Sequence, residues 1–270
     1  MTVTFSPSTT LLAPPSGMKA ILMDVDKTLT RTDRVVTPRT RSAIQQLIAE
    51  GKYQVALCTG RPASQILDIL EMFPAGSPHV FNGGGLVAQT DGEILDATMI
   101  PSEIVKEVAN QSEQLGADFI FEHDRKVYGS QRRQQEAPDR YHSPQSLADW
   151  STPLLCVPRI NDQVRELLSQ YDTLEVKEMV SEISGPYVDI TVQGVNKGTG
   201  VQRWSEVTGI PVTDMVGFGD GGNDLEFLQT VGWSVAMGNA IPELKQVAKT
   251  VIGSCDDDSL AEYLEREFLS

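Results

Sequence analysis

One pattern recurs along this chain: a short run of apolar residues, a few polar residues, then a stretch with helical spacing. Ala20-Ile21-Leu22-Met23 ends at Asp24, and Val55-Ala56-Leu57-Cys58 ends at Thr59. Val80-Phe81 ends at Asn82-Gly83-Gly84-Gly85, and late in the chain Met215-Val216-Gly217-Phe218 runs into Gly219-Asp220. Strands that are apolar throughout are buried on both faces. Helices interleaved between them cover those faces, so the pattern predicts an α/β fold around a parallel sheet. A helix is expected from Pro38 to Glu50, capped by Thr37 and stopped by Gly51. Pro62 marks another helix start, with Ile66, Leu67, Ile69 and Leu70 on its buried face. Lys197 opens a helix toward Gly209, and a further helix carries Leu225, Phe227 and Leu228. Strands follow around Val235-Ala236-Met237 and Val251-Ile252. A last helix, Ser259 to Phe268, begins after Asp256-Asp257-Asp258, whose charge suits a helix N-terminus.

The middle of the chain breaks this rhythm. Leu86-Val87-Ala88, Thr90-Asp91-Gly92 and Ile94-Leu95 read as a hairpin. A helix from Ser102 to about Leu115 is stopped by Gly116. Strands are expected at Phe119 to Phe121, Lys126 to Tyr128, Leu154 to Val157, Leu174 to Val176 and Tyr187 to Thr191, with a helix near Val164 to Gln170. Gly129 to Ser151 has no clear period and reads as loop or short helix. The organisation expected is therefore a core of residues 18–84 and 193–270, split by an α+β insert of residues 85–192, after a loose tail of residues 1–17. Trp150, Trp204 and Trp233 read as packing residues.

Composition narrows the function classes. With 22 basic against 37 acidic side chains in 270 residues the formal net charge is −15. Nucleic-acid binders and polybasic membrane anchors need the opposite balance. No apolar run approaches the roughly 20 residues of a membrane span, and the Ser/Thr/Pro-rich start is poor signal-peptide material, so a cytoplasmic protein is expected. Cys58, Cys156 and Cys255 are too few and too scattered for a disulfide framework or a thiolate zinc site.

Four polar clusters stand where apolar strands end or helices begin: Asp24-Val25-Asp26-Lys27-Thr28, Thr59-Gly60-Arg61, Lys197, and Gly219-Asp220-Gly221-Gly222-Asn223-Asp224. Ligand sites in open parallel sheets form at such carboxyl ends. If gathered, Asp24, Asp26, Asp220 and Asp224 would repel one another unless a cation held them. A set of hard oxygens without His or Cys points to Mg²⁺ rather than zinc. A carboxylate attacking a phosphoryl group is a known route to an aspartyl-phosphate, and Lys197 with the metal would neutralise charge as the two anions meet.

These residues resemble a family. Asp24-x-Asp26-x-Thr28 behind an apolar strand looks like motif I of the haloacid dehalogenase superfamily. Thr59-Gly60-Arg61 looks like motif II of its Cof-type phosphatases (subfamily IIB). Lys197 matches motif III, and Gly219-Asp220-x-x-Asn223-Asp224 matches motif IV. Asn82-Gly83-Gly84 is similar to the family's turn at the cap entry, and the insert lies where the C2-type cap belongs. The resemblance implies a Rossmann-like parallel-sheet core with an inserted α+β cap, and Mg²⁺-dependent hydrolysis of a small phosphorylated metabolite, sugar-phosphate-like or a cofactor phosphate. It implies Asp24 as nucleophile and metal ligand, with Asp26 as general acid and then base, its carbonyl on the metal. Asp220 is then the second metal carboxylate. Thr59, Gly60, Arg61 and Asn223 hold phosphate or substrate, Lys197 pairs with Asp24 and the phosphate, and Thr28 and Asp224 support them from behind.

Lys27 departs from the pattern, which usually has Gly there. Asp26-Lys27-Thr28-Leu29-Thr30 also resembles the phosphorylation loop of P-type ion pumps, a register that would make Asp26 the nucleophile. Two other functions compete. A phosphomutase of the same fold is suggested by the likeness of Asp24 to Thr30 to the eukaryotic phosphomannomutase loop, although Thr59-Gly60-Arg61 fits hydrolases better. A non-catalytic phosphometabolite sensor is opposed by the intact Asp24, Asp26, Lys197 and Asp220. In isolation Lys197 also reads as a solvated surface lysine. Of the insert's polar residues, His123, Asp124, Arg125, Arg132, Arg133 and His142 are weighed as substrate readers, most of them as plain surface charges.

Overall fold

The computed structural model describes residues 12–181 and 185–269. The chain divides into two compact units, Met1–Leu57 with Thr208–Ser270, and Cys58–Val207. The second unit holds the expected insert, residues 85–192, together with residues 58–84 and 193–207 of the expected core. Of the expected N-terminal tail, residues 1–11 lie outside the described residues; residues 12–17 carry no helix or strand, and the Leu12 carbonyl accepts a hydrogen bond from the Tyr263 hydroxyl.

The first unit is built on a five-stranded sheet. Its order is Thr250–Val251, Trp233–Ala236, Met215–Gly219, Ala20–Met23, Gln54–Leu57, and every pairing is parallel. Residues Ala20 to Met23 are all fully buried. Successive side chains of a strand point to opposite faces, so both faces of this strand are covered, as its unbroken apolar run requires. The helix Pro38–Glu50 begins where Thr37 accepts the Thr40 N–H (3.1 Å) and stops at Gly51. The helix Ser259–Phe268 buries Leu260, Ala261, Tyr263, Leu264 and Phe268 on one face. Asp256 lies ahead of it in a 3₁₀ turn, where it accepts the Thr32 N–H (3.0 Å) and hydroxyl. It therefore fastens the loop after the first strand as well as preceding a helix.

The second unit holds two antiparallel sheets. Pro78–Phe81, Leu86–Gln89 and Ile94–Ala97 form one, which contains the expected hairpin. The other has the order Lys126–Gly129, Ile120–His123, Leu155–Pro158, Gly185–Val192, Leu174–Ser181. Phe121, Leu155, Val157, Val188 and Ile190 on one face share a core with Val105 and Val108 of the helix Ser102–Gln114 and Val164 and Leu168 of the helix Asp162–Leu168. The edge strand Leu174–Ser181 is longer than its short apolar start predicts; Glu175, Lys177 and Glu178 charge it, which discourages pairing with another chain. The segment after Gly129 contains a six-residue helix, Gln131–Glu136. Buried Asp118 anchors it through ion pairs with Arg132 and with Arg133 (3.0 Å) and a bond from the Ser130 hydroxyl (2.9 Å). Both arginines are thus committed to the fold. Trp150 packs with Phe119 and Phe121, and Trp204 is buried with its indole N–H donating to the Pro78 carbonyl (2.9 Å).

Two expectations fail in this unit. The strand at Val80-Phe81, read with the parallel set, runs antiparallel to Leu86–Gln89 and meets a parallel neighbour only in the isolated bridge of Val80 with Cys58. The helix predicted after Pro62 is a 3₁₀ turn, Ala63–Gln65, and a single α-turn, Leu67–Leu70, separated by Ile66 with φ −135°. The break rotates the second piece, so Ile66, Ile69 and Leu70 are buried while Leu67 is 49% exposed. The Ser64 N–H and hydroxyl both donate to the Glu122 carboxylate, a tertiary contact that holds the first turn in place.

Asp189 lies on the sheet face opposite Val188 and Ile190, opposite Cys156 on one side and Lys177 on the other. Burial pushes its carboxyl up to about 6, against the thiol bond from Cys156 and the charge of Lys177. Between about pH 4 and 6 the folded chain therefore binds this proton more tightly than the unfolded chain, and stability falls as pH rises through that window. Asp189→Asn is expected to stabilise the protein by about 2 kcal/mol at neutral pH and by almost nothing near pH 4. Urea unfolding of both proteins at the two pH values checks this. Among the described residues, no helix is long and apolar enough to cross a membrane.

Candidate active site

Strand register puts three loops at one edge of the first unit's sheet. Met23 is opposite Phe218 and Gly219 is opposite Ala236, so Asp24, Asp220 and Asn239 all follow closely on neighbouring strand ends. The Asp24 N–H donates to the Phe218 carbonyl (2.9 Å), which extends the pairing one residue. One carboxylate oxygen each from Asp24, Asp220 and Asp224 lie within 4.8 Å of one another. Asp24 and Asp224 are buried and Asp220 partly so. Asp224 is held by the N–H groups of Asp220 (3.0 Å) and Gly221 (2.9 Å). A side chain at Gly219 would fill its space, since a Cβ there meets the Asp224 Cγ at 2.7 Å. The Thr28 hydroxyl donates to Asp220 Oδ1 (3.2 Å). The cluster offers oxygen donors only, the chemistry of a hard divalent cation, and its three mutually repelling anions would be relieved by one.

Asp26 and Lys27 lie in the turn Val25–Leu29 that follows the first strand. Lys27 is exposed and adopts φ +56°, the left-handed region in which Gly carries no steric cost. The backbone shape normally served by Gly is thus kept by a lysine whose side chain points to solvent. Lys27→Gly is expected to keep whatever activity the site has within about threefold. A loss above about tenfold, worth roughly 1.4 kcal/mol of barrier, would show that the ammonium takes part. Asn223 is exposed in the turn Gly222–Asp224.

The other expected site residues belong to the second unit. Thr59 is fully buried: its N–H donates to the Val80 carbonyl (2.9 Å), its carbonyl accepts the Gly83 N–H (3.0 Å), and its hydroxyl accepts the Arg61 N–H (3.1 Å). Gly60 and Arg61 are half-buried. Lys197, only 1% exposed, is not a solvated surface lysine. It is the first residue of the helix Lys197–Thr208, whose start is fixed by a reciprocal pair: Thr199 N–H to Asn196 Oδ1 (2.9 Å) and Asn196 N–H to Thr199 Oγ1 (3.0 Å). Asn82, Gly83 and Gly84 all have positive φ (54°, 64°, 104°), and a Cβ on Gly84 would stand 2.0 Å from the Asn196 carbonyl oxygen. The turn is therefore the seat on which the start of the Lys197 helix rests. Arg203, further along that helix, donates to the Gly84 carbonyl and the Thr98 hydroxyl and pairs with Asp96 (3.0 Å).

Neither Arg203 nor Asn239 lies in the four polar clusters that the sequence marks. Arg203 lies mid-helix, where nothing in the sequence marks it. Asn239 carries a usable signal: it is a polar residue just past an apolar strand, like Asp24 and Asp220.

A family model described as haloacid dehalogenase-like hydrolase matches residues 21–264. The chain belongs to this family. Within the superfamily it stands with the Cof-type phosphatases, and it is an enzyme of the phosphatase type. It is 27% identical over 262 residues to the 5-amino-6-(5-phospho-D-ribitylamino)uracil phosphatase YitU of Bacillus subtilis, covering 92% of this chain and 97% of that one. It is 28% identical over 255 residues to the HMP-PP phosphatase of Yersinia enterocolitica, covering 90% and 92%. Its fold is similar to that of BT1666 from Bacteroides thetaiotaomicron, a phosphatase of the superfamily, with a TM-score of 0.75, 22% identity, and coverage of 97% of this chain and 100% of that one.

Proposed function

We propose that this chain hydrolyses small phosphate monoesters, sugar-phosphate-like or cofactor phosphates, with Mg²⁺, through a phospho-aspartate on Asp24. The observation that carries the reading is the grouping of Asp24, Asp220 and Asp224 at the carboxyl edge of a parallel sheet. The carboxylates of Asp24 and Asp220 and the carbonyl of Asp26 would hold the ion. When bound, Mg²⁺ would offset the repulsion between the anionic nucleophile and the anionic phosphate.

In the first step an Asp24 oxygen attacks phosphorus, the bond to the leaving alcohol breaks, and Asp26 hands that alcohol its proton. In the second, Asp26 takes a proton from water, the water oxygen attacks phosphorus, and phosphate leaves with Asp24 restored. Proton transfer of this kind is typically worth 10² to 10⁴ in rate. By their places in the motif order, Thr59, Gly60, Arg61 and Asn223 bind phosphoryl or substrate oxygens and Lys197 supplies a compensating cation. Thr28 steadies Asp220, and Asp224 holds the loop that carries it. Residues 85–192 are read as a cap that keeps bulk water from the reaction and selects the leaving group. The relatives' names support small phosphorylated metabolites as substrates, since one is a phosphatase of a phosphoribityl compound and the other of HMP-PP.

The test is a panel of phosphorylated metabolites, mannose 1-phosphate included, scored for phosphate release with and without Mg²⁺. Release that needs Mg²⁺ supports the reading. Mannose 6-phosphate formed without free phosphate indicates a mutase, and tight binding without turnover indicates a sensor.

A further inference from the structure

Asn239 stands three residues beyond the strand Trp233–Ala236, at the same sheet edge as Asp24 and Asp220. Its side chain is exposed, yet every polar atom of it is engaged. The amide nitrogen donates to the Lys27 carbonyl (2.9 Å) and to Asp220 Oδ2 (3.3 Å), and the amide oxygen accepts the Cys255 N–H (2.9 Å). An amide has two N–H donors and one oxygen, so these bonds use both donors. Turning the amide over would set its oxygen against a carbonyl and a carboxylate and its NH₂ against an N–H. The orientation is thus dictated by its neighbours.

Two consequences follow. Asp220 is gripped at both oxygens, by the Thr28 hydroxyl on Oδ1 and by Asn239 on Oδ2, so its carboxylate cannot rotate without breaking a bond. The Lys27 carbonyl, in the left-handed residue next to Asp26, is tied to the same amide. One side chain therefore couples the turn bearing the proposed acid/base, the carboxylate proposed to hold the metal, and the 3₁₀ turn Cys255–Asp257.

We infer that Asn239 is a positioning residue, which sets the Asp220 carboxylate and the Asp26-Lys27 turn in the geometry that metal binding and proton transfer need. This rests on the functional reading above. Groups that orient metal ligands typically cost 10- to 100-fold in metal affinity or activity when removed.

Two variants of the full chain separate positioning from mere loop support. Asn239→Ala loses all three bonds. Asn239→Asp keeps an acceptor for the Cys255 N–H but loses both donations and sets a carboxylate against Asp220. Calorimetric titration with Mg²⁺ alone, without substrate, is expected to show about tenfold weaker binding for N239A. With p-nitrophenyl phosphate at saturating Mg²⁺, both variants are expected to lose about tenfold or more in kcat while KM changes little. Metal binding and kcat of N239A within twofold of the unmodified protein would overturn the inference, as would full kcat in N239D, since the Cys255 bond alone would then suffice. An unmodified protein that neither binds Mg²⁺ nor releases phosphate would overturn the functional reading and this inference together. Normal behaviour there with an indifferent Asn239 overturns the inference alone.

Discussion

Asp24→Asn is expected to abolish phosphate release, by about 10⁴-fold or more, with the fold intact. The substitution is nearly isosteric, and the backbone bond from residue 24 to the Phe218 carbonyl is unaffected by it. What changes is chemistry: an amide has no anionic oxygen to attack phosphorus. It also removes one of three carboxylates whose oxygens lie within 4.8 Å of one another. Without metal that removal relieves repulsion, so the variant should unfold at the same temperature as the parent or a higher one. A lost activity with a retained or raised Tm is the signature of a missing nucleophile, and a lost activity with a collapsed Tm is not. Steady-state phosphate release and thermal unfolding, each with and without Mg²⁺, make the distinction.

Gly84→Ala is expected to produce a large loss of stability from a single methyl group. The residue has φ +104°, and the added Cβ would meet the Asn196 carbonyl oxygen at 2.0 Å and its carbon at 2.6 Å. These are backbone atoms at the start of the Lys197 helix, so no side-chain rotation relieves the clash. Either the turn Asn82–Gly84 or the helix start must move, at a cost of about 3 kcal/mol or more. Gly83→Ala is the control. That glycine has φ +64° in the same turn, but a Cβ on it meets nothing within 4 Å, so only the left-handed penalty of about 1–2 kcal/mol applies. Urea midpoints of the two variants should differ clearly, with Gly84→Ala the lower. Equal midpoints would mean that the contact between the turn and the helix start does not carry the stability assigned to it.

Much of the fold is legible in the sequence, for a specific reason. Strand ends of the parallel sheet are marked by an abrupt change from apolar to polar at Met23-Asp24 and Gly219-Asp220, and helix ends by Thr37, Gly51 and Gly116, residues whose local chemistry decides the backbone around them. Three acids of the candidate site are legible by the same rule. What is not legible depends on partners distant in sequence. The break at Ile66, which turns Leu67 outward, goes with the hold of Glu122 on Ser64 from 58 residues away. Lys197 in isolation reads as a solvated lysine; only its place in the motif order marks it in the sequence, and its burial comes from the fold. The role of Asn82–Gly84 as a seat requires Asn196, more than a hundred residues later. Asn239 carries the signal of a polar residue just past an apolar strand, but what it holds is seen only once its strand lies beside the strand that ends at Gly219.

The most direct measurement of the central claim is chemical trapping of the intermediate. The protein is mixed with Mg²⁺ and a turned-over phosphate ester, quenched with borohydride to reduce an acyl phosphate to the alcohol, and mapped by peptide mass spectrometry. Reduction at Asp24, absent without Mg²⁺, is the predicted result. Reduction at Asp26 instead, or at neither residue during rapid turnover, would contradict it.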